Sequence, residues 1–440
     1  MNVSLDRRRF GTPRQWARTW FSQAALAFGL CASPLPTSAR AAHAEPTLPV
    51  VSVASKAFQS WLPEPFLPYW KLFFPEFQSR QVGVTHDYTP PPAWRDATRR
   101  LSPAVRLGPS GQLQHYVAGA PFPLAAVDCE GDPNAGLELA YDMSFRWKGD
   151  GGRGTLRVSE LHRGKRVGPT LQASLTMILL AHRVEPNLLA SSGGTIFRGE
   201  KRSESLRVEI TDPQDQRGTR ILRYRYRPSL GKPDDLWVGP AIGTPVHLRG
   251  STWPERLGQS ELVLQDLDGF VDRVSAYRWR CLGEQTLLGA VRTDLLQPLA
   301  RDDPRWGPSG LAVPPGELEL RRALHLRAIP RDPAYPYGFR DFWIDTDSFE
   351  PLYFAAYDRS GSILRLGVQT SAWSGDSSDL YPGWPGIPEP RDLYGVAWLV
   401  ENTQLGTGVR YELWDRTGLP MASKGRIGRA VDWYRHRGDR

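Results

Sequence analysis

The chain has 440 residues and carries 55 Lys and Arg against 47 Asp and Glu, a formal net charge of +8. Six of the arginines and one acid, Asp6, fall in residues 1–44, which leaves 49 basic and 46 acidic residues in the remainder. The basicity therefore belongs mostly to the N-terminus, and without a clustered Lys/Arg face it argues against nucleic acid as a partner. No stretch after residue 44 is long and apolar enough to span a bilayer.

Residues 1–44 carry the three parts of a twin-arginine export signal in order. Arg7-Arg8-Arg9-Phe10 supplies two adjacent arginines, any residue, then an apolar one, although Asp6 stands where Ser or Thr is usual. Arg7, Arg8 and Phe10 are its signature. A weakly apolar run, Trp20 to Ala32, follows, and Ala42-His43-Ala44 offers a small-x-small cleavage site. Cys31 is preceded by Leu30, not by the small residue that lipidation needs. The expectation is a signal cleaved near Ala44 and a protein working in the periplasm, free or attached to the outer membrane.

Residues 45–123 are rich in proline and read as extended covering segments or loops. Tyr69 to Phe77 is a weak helix candidate, because Pro75 would end it. Residues 124–420 read as a β domain. Its best helix candidate is Leu171 to His182, just after Pro169. Ile221 to Arg227 alternates, with Leu222, Tyr224 and Tyr226 on one face and arginines on the other. Trp237 sits in a further strand-like segment. Val274 to Cys281 places Tyr277, Trp279 and Cys281 at period two. Leu318/Leu320 and Leu324/Leu326 repeat the rhythm, and Phe342 to Asp345, Leu352 to Tyr357 and Ile363 to Val368 continue it less regularly. Such alternation means antiparallel sheet with one face on a core. Arg217-Gly218, Asp268-Gly269, Ser360-Gly361 and Gly406-Thr407-Gly408 mark turns. Residues 421–440 form a basic tail. A sheet of this length must curve or close, since flat open edges aggregate.

Cys129 and Cys281 are the cysteines that follow the signal. An oxidising compartment allows one disulfide, and two buried thiols fit the residues equally well.

The search for chemistry finds little. No two of the eight histidines lie at i, i+4 or in His-x-His, so no local metal site is expected. There is no nucleophile elbow, phosphate loop or dinucleotide fingerprint, and no cofactor is expected. Gly108-Pro109-Ser110-Gly111 and Gly307-Pro308-Ser309-Gly310 read as turns, and Asp266-Leu267-Asp268-Gly269 lacks the spacing of a calcium loop. No catalytic residue is assigned. The abundance of large aromatics points instead to binding. Tyr224, Tyr226, Trp237, Tyr277, Trp279, Trp343 and Tyr353 all lie in strand-like segments, where they either fill a core or line an apolar cavity.

Several phrases resemble the bacterial exported proteins called domain of unknown function 1329, which are related in fold to the lipoprotein carrier LolA and its outer-membrane acceptor LolB. They are Tyr116 to Pro123, Asp132 to Gly136, Arg217 to Tyr226, Asp235 to Pro240, Asp332 to Gly338, Phe342 to Asp345, and Leu352-Tyr353 with the Tyr357 to Gly361 hairpin. The likeness runs from about residue 70 to 415. It departs at Ala241 to Arg249, where relatives carry a short arginine-rich strand, and before Ala118, where this chain is shorter. The resemblance implies a mainly β fold: a strongly curved antiparallel sheet, an incomplete barrel, with a few helices and extended segments on its concave side. It also implies handling of a lipid or lipoprotein acyl chain beside an inner-membrane transporter of the resistance-nodulation-division type or an outer-membrane partner. The function expected is thus a carrier for a hydrophobic ligand. A periplasmic hydrolase or isomerase acting on an apolar substrate, and a structural adaptor of an export complex, are the alternatives.

Overall fold

Alternating segments of this chain can satisfy their backbone only by pairing side by side, and they do so in one large sheet. The computed structural model describes residues 50–75, 79–162, 167–197, 199–248, 263, 268–293, 299–375 and 391–418. The export signal, the 421–440 tail, Phe77, Arg249 and Asp266-Leu267 lie outside the described residues.

The N-terminal part holds β1 (Val50–Ser52), α1 (Lys56–Ser60), α2 (Trp70–Phe73), β2 (Ser79–Gly83), α3 (Pro92–Leu101), a small hairpin of β3 (Arg106–Leu107) and β4 (Leu113–Gln114), and α4 (Ala135–Ser144). Then follow β5 (Gly151–Leu161), β6 (Val167–Leu179), α5 (Pro186–Ser192), β7 (Arg202–Asp212), β8 (Arg220–Tyr226), β9 (Asp235–Gly239) and β10 (Val246–Leu248). The last part is β11 (Tyr277–Thr293), β12 (Gly316–Pro330), β13 (Phe339–Asp345), β14 (Pro351–Tyr357), β15 (Ile363–Trp373), β16 (Leu393–Asn402) and β17 (Thr407–Gly418).

The sheet runs β1-β2-β12-β13-β14-β15-β16-β17-β5-β6-β7-β8-β9-β10, with β11 on the other edge of β12. Its pairings are antiparallel except β2 with β12 and a single bridge from Ala290 of β11 to Thr370 of β15. It curves strongly without closing into a barrel. The segment after Asp268 shows the curvature: Arg223 of β8 donates to the Val271 carbonyl (2.8 Å), while Phe270 packs edge-on against Trp279 of β11 and Phe342 of β13.

The middle strands are covered on both faces. Phe342, Ile344, Phe354 and Trp398 share one buried cluster with Trp94 of α3 and Leu139 of α4. Trp343, Tyr353, Ala355 and Leu366 belong to the opposite cluster, with Phe58 of α1 and Phe73 of α2. All seven residues of β14 are buried for that reason, and double coverage removes the polar half of the alternation. α4 lies close on β11, since a Cβ on Gly136 would stand 2.5 Å from the Arg280 carbonyl carbon. Beside this contact Cys129 is joined to Cys281, with Cα atoms 5.4 Å apart.

Two sequence expectations change. Leu171 to His182 is not a helix: residues 171–179 lie in β6, paired with β5 on one edge and β7 on the other. Leu171, Ala173 and Leu175 pack toward one core while Gln172, Ser174 and Thr176 alternate with them, so pairing overrides the helix propensity of Leu, Ala and Met. Within residues 45–123, β1 and β2 join the sheet, while α1, α2 and α3 pack on its two buried faces. Tyr69 to Phe77 shrinks to α2, which stops before Pro75. Among the described residues no helix is long and apolar enough to cross a membrane.

Candidate functional site

The inner face of β5–β8 is decided by residue parity. Gly152, Gly154 and Leu156 fall on one side of β5, Leu175 and Met177 on the matching side of β6, and Glu204 and Leu206 on that of β7. Register then brings Arg223 opposite Leu206 and Arg225 opposite Glu204. These residues wall a cavity of about 110 Å³, completed by Phe270 and Val271, by Val396 and Trp398 of β16, and by Tyr411 and Leu413 of β17. Gly152 and Gly154 carry no side chain to fill it. The Trp398 indole N–H has no hydrogen-bond partner among the described residues.

One wall is ionic. Arg223 pairs with Glu204, and Arg225 donates to Asp234 (3.0 Å). Lys148 reaches Asp268 at 2.8 Å, and the fully buried Arg146 lies 3.0 Å from Asp268 and 2.8 Å from Glu350. Burial pushes Glu204 up, but Arg223, Arg225 and Lys148 outweigh it and hold the carboxyl below its ordinary value. Burial and the Arg225 charge lower Arg223 against the pull of Glu204 and Asp234. The charges are matched, so the wall presents paired ions to an otherwise apolar space.

A smaller chamber of about 50 Å³ adjoins the cavity and shares Ser144, Lys148, Met177, Glu204 and Arg225 with it. Tyr116, Phe145, Asp150, His182 and Ser203 close it. A third cleft, about 820 Å³, lies between the end of α5 and the 227–230 turn. Lys201, Arg227 and serines share its walls with Leu188 and Ile196, so it is a poorer apolar site.

None of the seven candidate aromatics lines the 110 Å³ cavity. Tyr277, Trp279, Trp343 and Tyr353 are buried in the two cores. There the Trp279 indole donates to the Val274 carbonyl (2.8 Å), the Tyr353 hydroxyl to the Leu288 carbonyl, and Trp343 stacks on His325 at 4.6 Å. Tyr224 and Tyr226 stand on the opposite face of β8, beneath Arg202 (4.7 Å) and Lys232 (4.3 Å). Trp237 stacks on His247 at 4.3 Å. The two faces of β8 were separable by alternation, but the arginine face turns inward. Glu204, Asp234 and the Val271 carbonyl satisfy those arginines, which makes their burial tolerable. Sequence reasoning also missed Phe270 and Trp398. Nothing local sets them apart from core aromatics.

The hydrolase reading needs a serine on a histidine that is itself held by an acid. His86 contacts Glu319 (2.7 Å), His247 contacts Asp235 (3.4 Å) and His325 contacts Asp341 (3.3 Å). No serine hydroxyl hydrogen-bonds to any histidine among the described residues. No group of three or more His, Cys, Asp or Glu there is placed to hold a metal ion.

Residues 74–381 match the family described as protein of unknown function DUF1329. No curated protein matches the chain. Among solved structures, a Vibrio parahaemolyticus domain described as an outer membrane lipoprotein-sorting protein is 16% identical, covering 68% of this chain and 99% of its own, with a TM-score of 0.43. A DUF1329 family protein from Desulfovibrio piger is 18% identical, covering 65% and 93%, with a TM-score of 0.43. A LolA superfamily protein from Nitrosomonas europaea is 14% identical, covering 65% and 93%, with a TM-score of 0.37.

Proposed function

The chain belongs to the DUF1329 family, and from that premise we propose that it binds a hydrophobic ligand, taking the apolar end of a lipid, a lipoprotein acyl chain or a similar molecule into the cavity of the curved sheet. One observation carries the reading: Leu156, Leu175, Met177, Leu206, Phe270 and Trp398 converge on an unfilled space of about 110 Å³. Each methylene moved there from water contributes roughly 0.8 kcal/mol. The space is somewhat smaller than the ~150 Å³ that takes a benzene ring. It therefore holds the end of a chain, and the rest of the ligand lies outside it.

Export to the periplasm with cleavage near Ala44, and work beside an inner-membrane transporter or an outer-membrane partner, belong to the same proposal and rest on the N-terminal residues and the family resemblance. Native mass spectrometry of protein purified from its own envelope is the test. Co-purifying lipid, and an N-terminus starting after Ala44, are the expected results. Bare protein that takes up nothing from a panel of fatty acids, alkanols and phospholipids would end the reading.

The adaptor alternative has one feature in its favour. Ile242, Val246 and Leu248 are exposed on and beside β10, the terminal strand of the sheet, at 89%, 59% and 37%. An exposed strand edge can pair with another chain. The cavity has no role in that reading.

A further inference from the structure

The cleft between the end of α5 and the 227–230 turn holds charges that neither the fold nor the apolar cavity uses. Arg223, Arg225 and Arg227 recur at period two along β8 and the residue that follows it, so they share a face. The first two meet carboxylates, Glu204 and Asp234. Arg227 meets none among the described residues. Its Nη2 donates to the Thr195 hydroxyl at 2.7 Å, a neutral partner. Directly opposite stands Lys201, whose carbonyl accepts from the Arg227 N–H at 3.0 Å, one step beyond the Arg202–Tyr226 pair that ends the β7–β8 ladder. Lys201 is exposed, and its side chain has no hydrogen bond or ion pair among the described residues. Opposite residues of a ladder put their side chains on the same side, and both of these line the cleft of about 820 Å³.

Two like charges set across from each other cost stability, and the walls supply no acid to offset them. Glu200 lines the cleft as well, but the Arg202 guanidinium already holds it at 2.8 and 2.7 Å. The end of α5 adds no competing acceptor at Leu188, Leu189 or Ser192, whose carbonyls accept from the N–H groups of Gly194, Gly193 and Thr195. Ser191 and Ser229 are exposed in the walls with hydroxyls that have no partner among the described residues. We propose that this cleft is a second binding site, which takes a phosphate monoester group on Lys201 and Arg227. Such a group carries close to two negative charges at neutral pH and three acceptor oxygens, enough for both cations and the flanking hydroxyls. A carboxylate brings a single charge and leaves one cation unmatched. The cleft is far larger than a phosphate, so the rest of the ligand lies along Leu188, Ile196 and Leu230.

The test uses the full chain and two probes at constant ionic strength. Inorganic phosphate is titrated calorimetrically. Phosphatidylcholine vesicles with and without phosphatidic acid, whose head is a phosphate monoester, are followed by co-sedimentation. Lys201→Gln is expected to weaken binding about tenfold. This variant removes an exposed side chain with no internal bond, so its folding is not at stake; Arg227→Gln, which also breaks the bond to Thr195, is the second variant and is expected to weaken binding at least as much. Lys232→Gln is the control. It removes an equal charge from over the Tyr226 ring, outside the cleft walls, and is expected to leave binding unchanged. Binding to phosphatidic acid vesicles that free phosphate displaces upholds the site with a lipid head as its source. Binding of inorganic phosphate without the vesicles upholds it with a soluble ester as the source. Binding of neither probe, or binding that Lys201→Gln weakens no more than Lys232→Gln does, overturns the site. The carrier reading stands in either case, because the apolar cavity shares no residue with this cleft.

Discussion

Arg157 of β5 and Glu412 of β17 meet as a fork, Nε to Oε2 and Nη2 to Oε1 both at 2.7 Å, at the junction where the C-terminal strand closes onto β5. Arg410 lies behind them, its Nε 3.6 Å from the same carboxylate and its guanidinium 4.1 Å over Trp306. Burial pushes Arg410 down to about 10, the Arg157 charge adds to this, and Glu412 opposes it. Glu412 thus compensates two cations taken out of water.

Replacing Glu412 by Gln leaves both guanidinium groups in place without their counter-charge. The expected loss is about 3–5 kcal/mol, the range for a broken buried pair, read as a fall in the urea midpoint at constant slope. Glu284→Gln, in the exposed pair with Arg322, is the control and is expected to leave the midpoint unchanged.

The bond between Cys129 and Cys281 closes a separation of 152 residues and fastens the approach to α4 against β11. Reduction, or the double Cys→Ala variant, is expected to cost about 2–5 kcal/mol, chiefly by releasing the unfolded chain. An unchanged denaturation midpoint with and without reductant would remove the bond from the account of stability.

The strands were legible wherever one face is wet. β8 and β12 announced themselves by period two, and the pairing of β14 with β15 followed from the turn at Gly361, whose φ of 87° suits glycine. Alternation does not say which face looks inward. For β8 that depends on Glu204, Asp234 and Val271, which lie in β7, beside β9 and in a distant loop, and only the folded chain assembles them. β14 and β16 were blurred because α1 and α2 cover one face and α3 and α4 the other. The cysteine pair stayed open, because nothing local distinguishes two thiols 152 residues apart from two that meet.

His182 makes stability depend on pH. Its folded value, about 4, lies below the ordinary 6.5 because burial, helped by Arg227, disfavours the charged ring. Between these values the unfolded chain takes up a proton and the folded chain does not, so stability falls as pH drops from 6.5 to 4, by about 3 kcal/mol from this group. Asp150 works in the opposite sense. Burial raises it to about 6, so the folded state holds the extra proton between 3.8 and 6. The wild-type profile mixes both, whereas its difference from His182→Asn isolates the histidine. That difference is expected to be steepest between pH 4 and 6.5 in unfolding titrations; a flat difference would mean the ring is not neutral in the fold.

The cavity's size sets how binding must vary with ligand length. Each added methylene should tighten binding about fourfold, from ~0.8 kcal/mol, for as long as it enters the space of about 110 Å³. Further carbons then stay outside, and affinity along a series of 1-alkanols is expected to level off after the first few steps. Leu175→Trp puts an indole into the cavity between β5 and β7. It should weaken binding of the same alkanols at least tenfold, while its effect on the unfolding midpoint stays within the ~1–3 kcal/mol of an overpacked site. Fluorescence displacement across the series checks both. Affinity that keeps climbing with length, or that ignores the indole, would place the ligand somewhere other than the space walled by Leu175, Leu206 and Phe270.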